Sequence, residues 1–179
     1  ADLDGDGDLD LVAALSNLIE GKLIWWENDG SQTFTEHVLS DSYPGAVSVY
    51  VADFIQDGRL DLLSAATTSN DVSWWRNEGA GSFTAQMLAS DFAGAQSVYA
   101  ADVDGDLDVD ILAAAYEADA IALWENDVNG NFSRRLVASD FYGAHAVHAV
   151  DLDGDGRLEV LGASSILNTV VAWPGEPAQ

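Results

Sequence analysis

The sequence contains no cysteine, so neither a disulfide nor a thiolate metal site is available to it. Basic residues are scarce: six Lys and Arg stand against 31 Asp and Glu, for a formal charge of −25. No basic patch can be built from that stock to neutralise phosphates, which argues against nucleic-acid binding and against docking on an anionic membrane surface. No apolar run reaches the roughly 18 residues that a membrane-spanning helix requires, so no membrane insertion is expected. No secretory signal is visible. The chain opens inside a motif, at Ala1-Asp2-Leu3-Asp4, and its natural start is expected upstream. A 3.6-residue hydrophobic period of useful length is also missing. Residues 9–18 resemble a short helix, but the matching positions elsewhere hold Thr67-Thr68-Ser69 and Gly162, which oppose one.

Hydrophobic residues make up 48% of the 179, enough for an ordinary core. A charge this negative repels itself unless cations neutralise it. The acids gather in four short runs, which points to cation sites rather than to a uniformly acidic surface.

Those runs begin at Asp2, Asp53, Asp102 and Asp151, and Trp26, Trp75, Trp124 and Trp173 follow one another at steps of 49 residues. Phe34, Phe83 and Phe132 keep the same step, as do Gly45, Gly94 and Gly143. A period of this size marks a propeller, a solenoid or an array. The first interval between acidic runs is 51, because residues 16–22 are two longer than their counterparts, which marks a surface loop. Each period reads as four short strands, in the third unit near 97–101, 110–115, 120–124 and 132–137, with a polar turn over 126–131. The expected fold is therefore all-β: propeller blades of four antiparallel strands, about 3.7 repeats of 49 residues in all. The units are a partial blade 1–51, blades 52–100 and 101–149, and a partial blade 150–179. The recurring Trp residues are expected to pack between units, Trp25 and Trp74 beside them to be buried or to stack on a sugar, and Tyr43, Phe92 and Phe141 to be buried as staples.

The four acidic loops share the pattern D-x-D-G-D-G-x-x-[DE]. The first offers Asp2, Asp4, Asp6, Asp8 and Asp10; the second Asp53, Asp57, Arg59 and Asp61. The third offers Asp102, Asp104, Asp106, Asp108 and Asp110; the fourth Asp151, Asp153, Asp155, Arg157 and Glu159. Acids at positions 1, 3, 5 and 9 converge if the loop wraps back on itself, and position 7 (Asp8, Arg59, Asp108, Arg157) adds a backbone carbonyl. Glycine at positions 4 and 6 permits the positive φ that tight wrapping needs. Such a hard-oxygen cage suits Ca²⁺ better than Mg²⁺, which prefers few carboxylates and keeps its waters. Several carboxylates this close repel strongly without a cation. The spacing is similar to the start of an EF-hand loop, but the Glu at position 12 is missing and strands, not helices, flank it. Loop two is the weakest, with Ile55 at position 3 and Gln56 at position 4. Loop three has Leu107 where glycine is expected.

These loops, the W-x-N segments (Trp26-Glu27-Asn28, Trp75-Arg76-Asn77, Trp124-Glu125-Asn126) and the Gly-x-Phe that follows resemble FG-GAP/VCBS repeats, which build the integrin α-subunit-type β-propeller. The resemblance covers essentially the whole chain. It implies calcium in the loop that joins the innermost strand of a blade to the second, with the acids above as ligands. It also implies an extracellular or cell-surface location and about seven blades. The last unit departs from the pattern at Trp173-Pro174-Gly175. With open strand edges at both ends, the chain is expected to be completed by further sequence or by other copies of itself.

A catalytic reading finds little support. His37, His145 and His148 are the three histidines, and none recurs as part of a motif. A catalytic acid pair is normally present once, whereas these acids repeat. The expected role is binding, with a protein partner in adhesion or assembly, or with a glycan in a lectin-like module; a non-catalytic domain of a secreted polysaccharide-active enzyme is a further reading. Calcium affinity is expected in the weak extracellular range, on the order of 10⁻⁴–10⁻³ M.

Overall fold

The computed structural model describes residues 1–127 and 129–175. Fourteen strands form four antiparallel sheets, with no helix among the described residues. Sheet one contains β1 (Leu11–Leu15), β2 (Lys22–Asn28) and β3 (Phe34–Ser40). Sheet two contains β4 (Ala46–Ala52), β5 (Asp61–Ala66), β6 (Asp71–Gly79) and β7 (Ser82–Ala89). Sheet three contains β8 (Ala95–Ala101), β9 (Asp110–Ala115), β10 (Ala120–Asn126) and β11 (Phe132–Ala138). Sheet four contains β12 (Ala144–Val150), β13 (Glu159–Ser164) and β14 (Thr169–Trp173). Each sheet is a meander in chain order, so within a sheet every strand pairs with its neighbours in sequence. The register shift between Val72 and Ser73 recurs between Ile121 and Ala122, one period later. Such bulges bend these two sheets at the same place.

Three hydrophobic cores lie between consecutive sheets. Leu3, Leu23 and Trp25 of the first repeat meet Leu62, Ala66 and Trp75 of the second. Leu63, Ala65 and Trp74 meet Phe92, Ile111 and Trp124. Leu112, Ala114 and Leu123 meet Val147, Ala149 and Val160. The two-residue period of a strand explains this sorting, since neighbouring residues point to opposite faces. Leu62 and Trp75 look back toward sheet one, while Leu63 and Trp74 look forward toward sheet three. Strands β5 and β9 lie in the doubly covered sheets and are buried at every residue; β13 alternates buried and half-buried. Trp75 and Trp124 are buried as expected, while Trp26 and Trp173 are half-buried. Tyr43, Phe92 and Phe141 are also buried.

A column of rings joins β4, β8 and β12. Tyr50 and Tyr99 have centroids 5.0 Å apart, and His148 stacks on Tyr99 at 4.1 Å. Ser48 Oγ accepts from the amide of Val98 (3.2 Å), and Ser97 Oγ from that of Val147 (3.4 Å), so the same three strands are also tied by side-chain hydrogen bonds. His148 thus has a packing role. His37 is half-buried: it stacks on Trp25 (4.4 Å) and its Nε2 lies 2.8 Å from Glu27.

Candidate metal centres

Loops two, three and four each join the first strand of a sheet to the second, between β4 and β5, β8 and β9, and β12 and β13; loop one leads into β1. Their local fold follows from aspartate chemistry. The carboxylate at position 1 accepts two backbone N–H groups of its own loop: Asp2 from Gly5 (2.8 Å) and Gly7 (3.1 Å), Asp102 from Gly105 (2.7 Å) and Leu107 (3.1 Å). Asp151 does the same with Gly154 and Gly156, and Asp53 with Asp57 and Gly58. Position 5 then accepts from position 7 in all four loops, Asp6 from Asp8, Asp57 from Arg59, Asp106 from Asp108 and Asp155 from Arg157. These side-chain-to-backbone bonds wind the loop. Positions 4 and 6 have positive φ throughout, including the non-glycine residues Gln56 (55°) and Leu107 (79°).

Position 9, expected among the ligands, also ties the loop to its sheet. One oxygen of Asp110 accepts from Val103 at the loop's start (2.9 Å), and the other from Asn126 at the end of β10 (2.9 Å). Asp10 repeats this with Leu3 and Asn28. Asp61 accepts from the amide of Asn77 (2.7 Å) and from Trp74 Nε1 (3.0 Å). Glu159 accepts from Leu152 (2.8 Å). The last acid therefore knots loop to sheet.

Acidic ligand atoms come within 4.8 Å of one another in three groups: Asp2, Asp4 and Asp6; Asp102, Asp104 and Asp110; and Asp151, Asp153 and Glu159. Asp10, Asp106 and Asp155 lie outside these groups, as do the position 7 residues Asp8, Arg59, Asp108 and Arg157. Loop two contributes no such group among the described residues. There the Arg59 guanidinium lies 2.5 Å from the Asp57 carboxylate. Partial burial pushes the Asp57 carboxyl up, but its hydrogen bonds and charge contact with Arg59 outweigh this and hold it below the ordinary value. In loop three the opposite holds. Burial, reinforced by neighbouring acids, pushes Asp104 up and Asp110 up to about 7. Asp4 in loop one is also raised, by desolvation and by Asp6 and Asp10. The oxygen-only donor sets fit a hard cation, since one would relieve this strain on the carboxylates.

Two groups of residues escaped the sequence reading. Asn77 Nδ2 donates to Leu60 O (3.0 Å) and to Leu3 O (2.7 Å), which lies in the preceding repeat's loop. Asn126 repeats this with Val109 O and Phe54 O. The recurrence of Asn28, Asn77 and Asn126 was visible, but spacing alone does not show a bond to another repeat. Gln56 Nε2 donates to Leu107 O (2.6 Å) and to Asp108 Oδ1 (3.2 Å) in loop three, and only its departure from glycine marks it in the sequence.

Successive antiparallel sheets, each tied to an Asp-rich loop at the same place, define an all-β repeat protein. The family described as FG-GAP-like repeat matches residues 2–64, 53–113 and 102–162, and the chain belongs to that family. Each match starts at the first Asp of a loop and runs through the next loop, so the family's unit and the internal period coincide. No curated protein matches the chain.

Proposed function

We propose that the chain is a calcium-binding section of a β-propeller that serves as an extracellular or cell-surface module for adhesion or assembly, and that it binds a protein or glycan partner rather than catalysing a reaction. The four sheets are its blades, and the cores between them are the blade-to-blade contacts. The observation that carries the reading is the recurrence of three convergent acid groups at equivalent places in successive repeats. The formal charge of −25 supports it, since bound divalent cations would offset much of that repulsion. Loops one, three and four hold the ions. Loop two does not, because Ile55 replaces an acid and Arg59 already supplies a positive charge to Asp57.

Calcium titration by calorimetry tests this and is expected to give three sites per chain. Asp4→Ala, Asp104→Ala and Asp153→Ala are each expected to remove one. An unchanged stoichiometry in those variants, or heat indistinguishable from dilution in the unaltered protein, would refute the assignment.

A further inference from the structure

Loop two differs from its siblings in a coordinated way. Where they place an acid and a glycine at positions 3 and 4, it has Ile55 and Gln56. Its positive charge is internal and fixed, Arg59 on Asp57. It also touches both neighbouring loops. Toward loop three, Gln56 Nε2 reaches the Leu107 carbonyl and the Asp108 carboxylate. Toward loop one, Asp61 holds the Asn77 amide while the Asn77 side chain bridges Leu60 O and Leu3 O. Leu3 is in turn tied through its own amide to Asp10. The 2.7 Å contact from Asn77 to Leu3 is buried and fixes backbone position more firmly than a surface bond, while Gln56 acts from the exposed side through two contacts on adjacent residues.

We propose that loop two is a cation-independent brace. Gln56 and Asn77 are its positioning residues, and they preset the backbone of loops three and one for ion binding. The ion-binding consequence rests on the calcium reading; the bracing itself does not. Among the described residues nothing equivalent reaches loop three from the fourth repeat, where Gly175 stands in place of the asparagine, close against the Leu158 carbonyl. Gln56 supplies that support from the other side.

Two variants of the full chain test the brace. Gln56→Gly restores the glycine of the sibling loops and relieves a positive φ, so it is not expected to impair folding. Asn77→Ala removes the bridge to loop one. Amide hydrogen exchange, read residue by residue in excess chelator, is expected to rise roughly tenfold at Gly105 and Leu107 in Gln56→Gly. In Asn77→Ala the same rise is expected at Gly5 and Gly7. Gly154 and Gly156 of loop four are expected to stay unchanged in both. Calcium titration followed by NMR is then expected to shift the midpoint of the affected loop several-fold and leave that of loop four in place. Unchanged exchange in Gln56→Gly, or a uniform rise over all loops in Asn77→Ala, would overturn the proposal. Selective exchange effects in a protein that takes up no calcium would uphold the brace and sink only the calcium reading.

Discussion

At the scale of single residues, the repeat contains its own controls. Ser64 Oγ accepts from Trp75 Nε1 (2.8 Å) and lies 3.0 Å from the Tyr43 hydroxyl. One period later the corresponding residues are Ala113, Trp124 and Phe92, and Trp124 Nε1 is buried with no partner among the described residues. The tyrosine hydroxyl thus occurs where a serine can meet it and is absent where alanine stands. Ser64→Ala is expected to cost about 1–3 kcal/mol, since it leaves two buried polar groups short of a partner. Ala113→Ser gives Trp124 an acceptor and is expected to add about 1 kcal/mol. Urea unfolding of both variants measures this; equal effects of the same sign would contradict the account. The sequence displayed every residue of the set, but nothing in the spacing showed that Ser64 and Tyr43 meet. That contact depends on how closely two sheets approach.

At the scale of elements, strands and loops were legible to different degrees. The run at β9 was read with its observed bounds, Asp110–Ala115, because a short apolar stretch set between an acidic loop and a turn is too short for a helix of this repeat. Strand β10 extends two residues past the expected Trp124, to Asn126, because Asp110 draws in the Asn126 amide. The expected turn from residue 126 therefore starts later, and residue 128 lies outside the described residues. Which acids converge depends on loop curvature, which the pattern does not carry, so the spacing did not separate Asp4, Asp104 and Asp153 from Asp10, Asp106 and Asp155. The knot at position 9 has a pH signature. Burial raises Asp110 from 3.8 to about 7, so the folded chain holds a proton that the unfolded chain releases. Its stabilising effect is complete below about pH 4 and is lost as pH rises toward about 7. In excess chelator the melting temperature is therefore expected to fall between about pH 5 and pH 7.5. Calcium, which competes with protons for the same oxygens, is expected to restore it at the higher pH. A melt that rises with pH in chelator, or that ignores calcium at pH 7.5, would contradict this.

For the molecule as a whole, the architecture was legible because a fixed period repeats one solution: a sheet, a loop and half of each neighbouring core. The blade interpretation goes further than the sheets themselves, and a sequence period does not set the angle between consecutive sheets. Every core joins only adjacent sheets, and loops two to four each enter the second strand of a sheet at equivalent residues. Stability in such a chain is approximately a sum of unit and neighbour contributions. The period is thus a removable cassette. Excising residues 53–101 and joining Ala52 directly to Asp102 would let β4 hand over to β9 through loop three, with the inward and outward faces of each strand preserved. The shortened chain is expected to fold cooperatively with native-like circular dichroism. An excision one residue longer or shorter breaks the 49-residue period, sets β4 and β9 out of register and is expected to abolish the cooperative transition.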